Sequence, residues 1–448
     1  IADLRIDQRS ASRAIDIIEL LLAFSGIAIV GVKCFAEEFG DTARSAEHAV
    51  DARAQCAVDD RAAVAVVDDE TAHAGELAVR GPVTGEDDDV AGDASTRTAL
   101  RLHDLDCFHV VASDDADDGV IRKRYLELVK QHGKEPGMIK RMSNLRMLWD
   151  MPARVEMLST WPEVQQIISL AVPSPEMLGG PQESPHYARV ANEGMAEICR
   201  QWPQQFPGFV ASLPMNNPTA ALLEMDHAID QLGAKGVQIL TNVNGRALDE
   251  PEVFPIFERI TLHHQKPVWM HPTRPSTKPD YVQEDKSKYE IWQVLGWPFE
   301  TSVAMSRMVF SGLLEKLPTL RLITHHCGGM LPYFSGRADT LWAQLGSRSA
   351  DGSEADVLKS LSRKPIDYFK MFYGDTVLGG SSSALRCGLD FFGPDHVVFA
   401  SDCPFDPEEG PMFIREGIRS VEDLDLHEQD ARKIYFGNAA KLLGLRQH

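Results

Sequence analysis

The sequence predicts an α/β protein of the TIM-like (β/α)8 barrel type, preceded by an atypical acidic N-terminal segment. Three observations carry that prediction. Short apolar, β-branched runs alternate with amphipathic stretches from residue 164 onward; histidines or aspartates stand at the ends of several of those runs; and the composition changes abruptly near residue 119. Alternating strands and helices imply a parallel sheet covered by helices. A parallel barrel opens all its strand C-termini on one face, where polar residues distant in sequence converge.

Taken in order, residues 1–118 stand apart. They hold 26 Asp+Glu against 10 Lys+Arg, a balance of −16 within a formal charge of −21 for the whole chain. They contain one proline and no Met, Asn, Tyr or Trp. Runs such as residues 59–70 (DDRAAVAVVDDE) consist of residues with GC-rich codons. Two readings account for this: translation of a GC-rich gene in a wrong frame or from a wrong start, or an acidic, disordered extension of low hydrophobicity and high charge. The barrel domain is expected over 119–448. A helix is expected over 119–133, where apolar positions recur at helical spacing and Gly133 supplies a stop, and another over 146–158. Strands follow at 164–172, 208–215, 236–241, 267–271, 320–325, 370–375 and 396–401, with a clear helix over 218–233 that runs from a proline to a glycine. These seven strands leave one strand of an eight-stranded barrel not legible, and it has to lie before residue 164.

The totals exclude several classes. With 448 residues, 44% hydrophobic and 25% charged, the chain can bury a large core. A charge of −21, a pI near 5.1 and the lack of a basic stripe argue against a nucleic-acid partner. The seven cysteines are scattered without a C-x-x-C pair, which disfavours a disulfide framework or a cysteine zinc site and suits a reducing, cytoplasmic setting. The most apolar window, 20–32, falls short of the roughly 18 residues that span a bilayer, so no membrane partner is expected.

Chemistry is expected at the strand ends. His271 closes the run 267–271, His325 and His326 close 320–325, and Asp402 follows 396–401. Imidazoles with a carboxylate suit Zn²⁺ or a similar divalent ion, which activates water or polarises a substrate oxygen. Strand alternation lets only one of His325 and His326 face a barrel interior, unless the strand stops between them. Asp375, at the end of 370–375, is placed to orient a histidine, contact substrate or form a turn. Arg337, after Tyr333-Phe-Ser-Gly336, carries the planar fork that grips carboxylates. Trp269, Trp292 and Trp297 read as packing, and no glycine-rich phosphate signature is present.

On these positions residues 149–443 resemble the amidohydrolase superfamily, in its 2-amino-3-carboxymuconate 6-semialdehyde decarboxylase-like branch. The carrying segments are Trp149-Asp-Met-Pro-Ala-Arg154, Trp269-Met-His271-Pro, His326-Cys-Gly-Gly-Met-Leu-Pro-Tyr-Phe-Ser-Gly-Arg337, Phe372-Tyr-Gly-Asp375 and Ala400-Ser-Asp402-Cys-Pro-Phe405. The resemblance implies a barrel with one divalent metal ion, zinc with manganese as the alternative, held by His271 and Asp402. It implies His326 as the acid/base and His325 as a structural neighbour. Arg337 is implied to reach the substrate carboxylate of a neighbouring subunit, making a homodimer, and Arg146, one position out of register, to be a second substrate-binding arginine. The sequence departs from the family's first strand: residues 1–163 contain no His-x-His. The activity implied is non-oxidative decarboxylation of a small aromatic or muconate-type carboxylic acid. The alternatives are a hydrolase or hydratase on the same site, and an inactive barrel lacking the first-strand ligands.

Overall fold

A parallel sheet needs a long crossover between neighbouring strands, and the intervals between the apolar runs are long enough to hold helices. The computed structural model describes residues 102–104, 107–108, 129–131, 133 and 136–445 except 171, 351 and 353. In it the strands β1 (Leu102–Asp104), β2 (Cys107–Phe108), β3 (Val164–Leu170), β4 (Gly208–Phe209), β5 (Ala211–Ser212), β6 (Val237–Leu240), β7 (Val268–His271), β8 (Leu322–Thr324), β9 (Tyr373–Asp375) and β10 (Val397–Val398) all pair in parallel. β1 and β2 lie along one edge of β3 in a single register, Leu102 opposite Val164 and Phe108 opposite Leu170. β4 lies on its other edge. The second sheet runs β10-β9-β8-β7-β6-β5. Val210 alone separates β4 from β5: its N–H donates to Ile168 O (2.8 Å), while that of Ala211 donates to Gly236 O (2.9 Å). Residues 208–212 therefore carry the hydrogen-bonded order from one sheet into the next.

From β3 onward the strands face two apolar environments. Ile167, Val210, Trp269, Ile323, Val398 and Ala400 form one cluster on one side. Ile168, Phe209, Val237, Met270, Leu322 and Phe399 pack in the main core, with residues of the helices Ser184–Gln201, Pro218–Asp230 and Gly296–Phe310. Apolar runs buried on both faces are what a helix-covered parallel sheet requires.

Several expectations are revised. The strand missing from the sequence reading is supplied by β1 and β2, inside the segment that the composition sets apart, so the described sheet includes residues ahead of 119. The helix expected over 146–158 is two pieces, a 3₁₀ turn (Arg146–Leu148) and a helix (Met151–Leu158). The break has a local cause: Asp150 caps the second piece by accepting from Ala153 N (2.9 Å), and Pro152 at the first turn cannot continue an earlier helix. Of the helix expected over 119–133, residues 129–131 are helical and 119–128 and 132 lie outside the described residues. The strand expected from residue 370 begins at Tyr373, because the helix Pro365–Phe369 runs up to it. Residues 1–101, with both readings offered for them, lie outside the described residues.

Candidate active site

Register explains how the histidines meet. Trp269 on β7 pairs with Ile323 on β8, so two residues further along the same faces stand His271 and His325. Both are buried, and their ring centroids are 4.8 Å apart. β8 stops at Thr324; His325 is still extended (φ −68°), whereas His326 and Cys327 take left-handed conformations at φ 55° and 51°. That turn folds His326 back over the strand ends, 6.4 Å from His271 and 6.3 Å from His325 between ring centroids. The condition under which both histidines face the site is thus met. His325, expected as a structural neighbour, packs more closely on His271 than His326 does.

Positive φ in a non-glycine residue costs on the order of 1–3 kcal/mol and persists only when its surroundings enforce it. Here Asp375 enforces it. From the tip of β9 its Oδ1 accepts the backbone N–H of Cys327 (2.9 Å) and of Val377 (3.1 Å). The following glycines are required sterically: a Cβ on Gly329 (φ +63°) would lie 2.3 Å from Pro298 O, and one on Gly328 2.7 Å from the Phe392 ring. The sequence His-Cys-Gly-Gly is therefore a tightly packed turn that presents an imidazole.

The electrostatics follow from burial. Asp375 Oδ2 lies 3.7 Å from His325 Nδ1. Burial pushes the Asp375 carboxyl up to about 7 against the pull of backbone N–H groups, and burial together with the neighbouring His271 and His326 holds His325 well below the usual imidazole range. Burial thus works against the charged form of both partners. Burial also lowers His326, to about 4, and its Nδ1 has no hydrogen-bond partner among the described residues.

Asp402 follows β10 in a left-handed conformation (φ 65°), ahead of a cis Cys403–Pro404 bond. The fully buried Arg154 secures this turn: its Nη2 reaches Cys403 O (3.4 Å), and its Nε and Nη2 donate to Gln166 Oε1 on β3 (3.0 and 2.8 Å). The two arginines expected to bind substrate, Arg337 that of a neighbouring subunit, have other surroundings. Arg146 points outward, 59% exposed, and pairs with Asp150 at 2.8 Å, so it does not reach the histidines. Arg337 is exposed on the helix Ser335–Trp342 and lines a different, apolar groove with Phe299, Val303, Met330 and Phe334.

Trp297, read from the sequence as packing, belongs to the site. It meets His271 edge-on (5.3 Å) and stacks on His326 (6.3 Å, 27°). With Trp292, Met177, Val172 and Thr273 it walls a cavity of about 370 Å³, within the range of small-molecule pockets. Among the described residues, the one group with three ligand atoms mutually within 4.8 Å is Asp230, His263 and His264. His271 and Asp402 belong to no such group of three, and they offer one imidazole and one carboxylate, donors of the kind a divalent ion takes.

A parallel α/β enzyme with imidazoles and carboxylates at its strand ends is the class that this fold and site define. The chain belongs to the Amidohydrolase family, whose model matches residues 147–445. It is 29% identical over 301 residues to the 2-amino-3-carboxymuconate-6-semialdehyde decarboxylase of Dictyostelium discoideum, covering 66% of this chain and 77% of that one. It is 28% identical over 318 residues to the gamma-resorcylate decarboxylase of Polaromonas sp. (strain JS666), covering 67% and 90%. Among solved structures, a dihydroxybenzoic acid decarboxylase from Polaromonas sp. JS666, with bound manganese and the inhibitor 2-nitroresorcinol, superposes with a TM-score of 0.60 at 25% identity, over 78% of this chain and 98% of that one.

Proposed function

We propose that this protein is a metal-dependent, non-oxidative decarboxylase of a small aromatic carboxylic acid. The observation that carries the reading is Trp297, which packs against His271 and His326 and, with Trp292, walls a cavity of about 370 Å³. The two tryptophans, 5.7 Å apart and edge-on, suit a flat ring.

His271 and Asp402 fit a divalent ion in donor chemistry and would hold it, with the remaining donors supplied from outside this pair; zinc and the manganese of the Polaromonas structure are both candidates. Such an ion supplies Lewis acidity that polarises substrate oxygens. Trp297 orients the ring and shields the histidines from water. Asp375 holds the turn that aims His326. Burial keeps the His326 imidazole neutral, and an arriving carboxylate favours its protonated form. His326 then gives its proton to the ring carbon as the bond to the carboxylate breaks. The electron pair of that bond becomes the new C–H bond, and CO₂ leaves.

The finer structural reading is a (β/α)8 barrel closed between β10 and the strand at 102–108, working as a homodimer in which the exposed apolar groove beside Arg337 meets a second copy. The free Cys199, Cys327, Cys387 and Cys403 support a reducing, cytoplasmic setting. No described helix is long and apolar enough to cross a membrane.

The test is CO₂ release from a panel of hydroxybenzoates and muconate semialdehydes with added Mn²⁺ or Zn²⁺. Release that EDTA abolishes and metal restores is expected. Hydrolysis of lactones without CO₂ would overturn the reading in favour of a hydrolase.

A further inference from the structure

We propose that Arg274 is the residue that recognises an anionic group of the substrate, and that it selects acids over neutral rings of the same shape. This deepens the decarboxylase reading and rests on it for the identity of the substrate.

The cavity beside the histidines is lined by Gly133, Ile139, apolar strand-end residues, two tryptophans and three neutral polar side chains; Arg274 is the one charged side chain among its described lining residues. It stands three residues beyond His271 at the end of β7, and Thr273 between them lines the same cavity. Its side chain is only 12% exposed, so its charge acts in a poorly solvated wall where it counts for more than in water. Neither of the arginines at which the sequence pointed occupies this cavity, since Arg146 is paired outside and Arg337 lines another groove.

The neighbourhood is built to place the guanidinium and to leave it positive. Arg274 Nη1 donates to Glu300 Oε1 (3.1 Å) and Nη2 to Pro279 O (3.3 Å), two of the five N–H donors of the fork. Lys278 Nζ reaches the same Glu300 oxygen at 2.7 Å. Two cations share one carboxylate, so the trio keeps a net positive charge against the cavity. Gly296 makes room: a Cβ there would come within 2.5 Å of Arg274 Cδ. Gly296 is followed at once by Trp297, so one short stretch sets both the ring platform and the space for the cation. A flat aromatic acid placed on Trp297 meets a guanidinium with unused donors in the geometry that carboxylates accept in pairs.

The experiment compares Arg274→Gln, Arg274→Lys and Glu300→Gln with wild type in the full-length protein. Equilibrium binding of benzoate and of its neutral isostere benzamide is measured by calorimetry, and KM and kcat on any hydroxybenzoate that is turned over. Wild type is expected to prefer benzoate over benzamide. In Arg274→Gln that preference should vanish and KM rise about 10- to 100-fold, the worth of hydrogen bonds to a charged group, with kcat changed far less. Arg274→Lys should restore part of the preference. Glu300→Gln removes the competing carboxylate and should strengthen benzoate binding. A purely structural ion pair would instead make both neutral substitutions weaken binding alike, with melting temperatures falling together, and that result overturns the proposal, as does an unchanged benzoate preference in Arg274→Gln. Should wild type prefer benzoate through Arg274 and yet release no CO₂ from the panel, the decarboxylase reading fails and the anion site stands.

Discussion

His326 owes its place over the site to a backbone conformation that a continuing strand would not allow. At φ 55° it leaves the register of β8, and its ring stands 6.3 Å from that of His325 and 6.4 Å from that of His271. If it moves the proton, His326→Asn should lower kcat by about 10²–10⁴-fold while benzoate binding changes little, a split that steady-state kinetics and calorimetry resolve. A second residue-scale prediction concerns Glu176, which is fully buried, with Oε2 unpartnered among the described residues and its pKa raised by burial to about 7. A carboxyl raised above its unfolded value favours folding fully below the unfolded value, near 4.5, and that contribution is lost as pH rises through about 7. Glu176→Gln should therefore melt higher than wild type at pH 8 and show a smaller difference near pH 4, read from thermal melts across that range. His271, His326 and Asp402 stood out in the sequence as candidates because each ends or follows an apolar run. Trp297 and Arg274 were not: one opens the helix Gly296–Phe310 and the other sits in the loop after β7, where nothing in the local pattern distinguishes a wall of the cavity from surface packing.

At the scale of elements, the turn after β8 is held by a carboxylate from the next strand and by two glycines that have no space for a side chain. Gly329→Ala should lower the melting temperature and the activity together, because the added methyl meets Pro298 O while the backbone stays at positive φ. Gly137→Ala is the control: it lies in the helix Pro136–Asn144 with nothing within 4 Å of an added methyl, and should be neutral or stabilising by about 0.5–1 kcal/mol. Strand and helix types were readable from period, as the helix Pro218–Asp230 between Asn217 and the loop before β6 shows. Boundaries were less so. Asp150 and Pro152 divide one apparent helix by local capping, and β1 with β2 hides in Leu-His-Asp-Leu-Asp-Cys-Phe, where charges interrupt the apolar run that marks the other strands.

For the whole molecule, the pairing of β1 and β2 with β3 puts part of the sheet ahead of residue 119. A chain starting at residue 119 should expose one full edge of β3 and aggregate or melt at lower temperature than one starting near residue 95, which gel filtration and thermal melts will show. By itself the sequence determined the parallel α/β class and the positions of seven strands, and it marked His271, His326 and Asp402 as strand-end candidates, because hydrophobic period and abrupt polar termini are local signals. Tertiary structure alone decided that His325 packs on His271, that Arg146 pairs with Asp150 at the surface, that Arg274 and Trp297 wall one cavity, and that β1 and β2 lie in the acidic segment. Each of these depends on register between strands or on packing between distant segments, and neither quantity is written in the pattern of any one stretch.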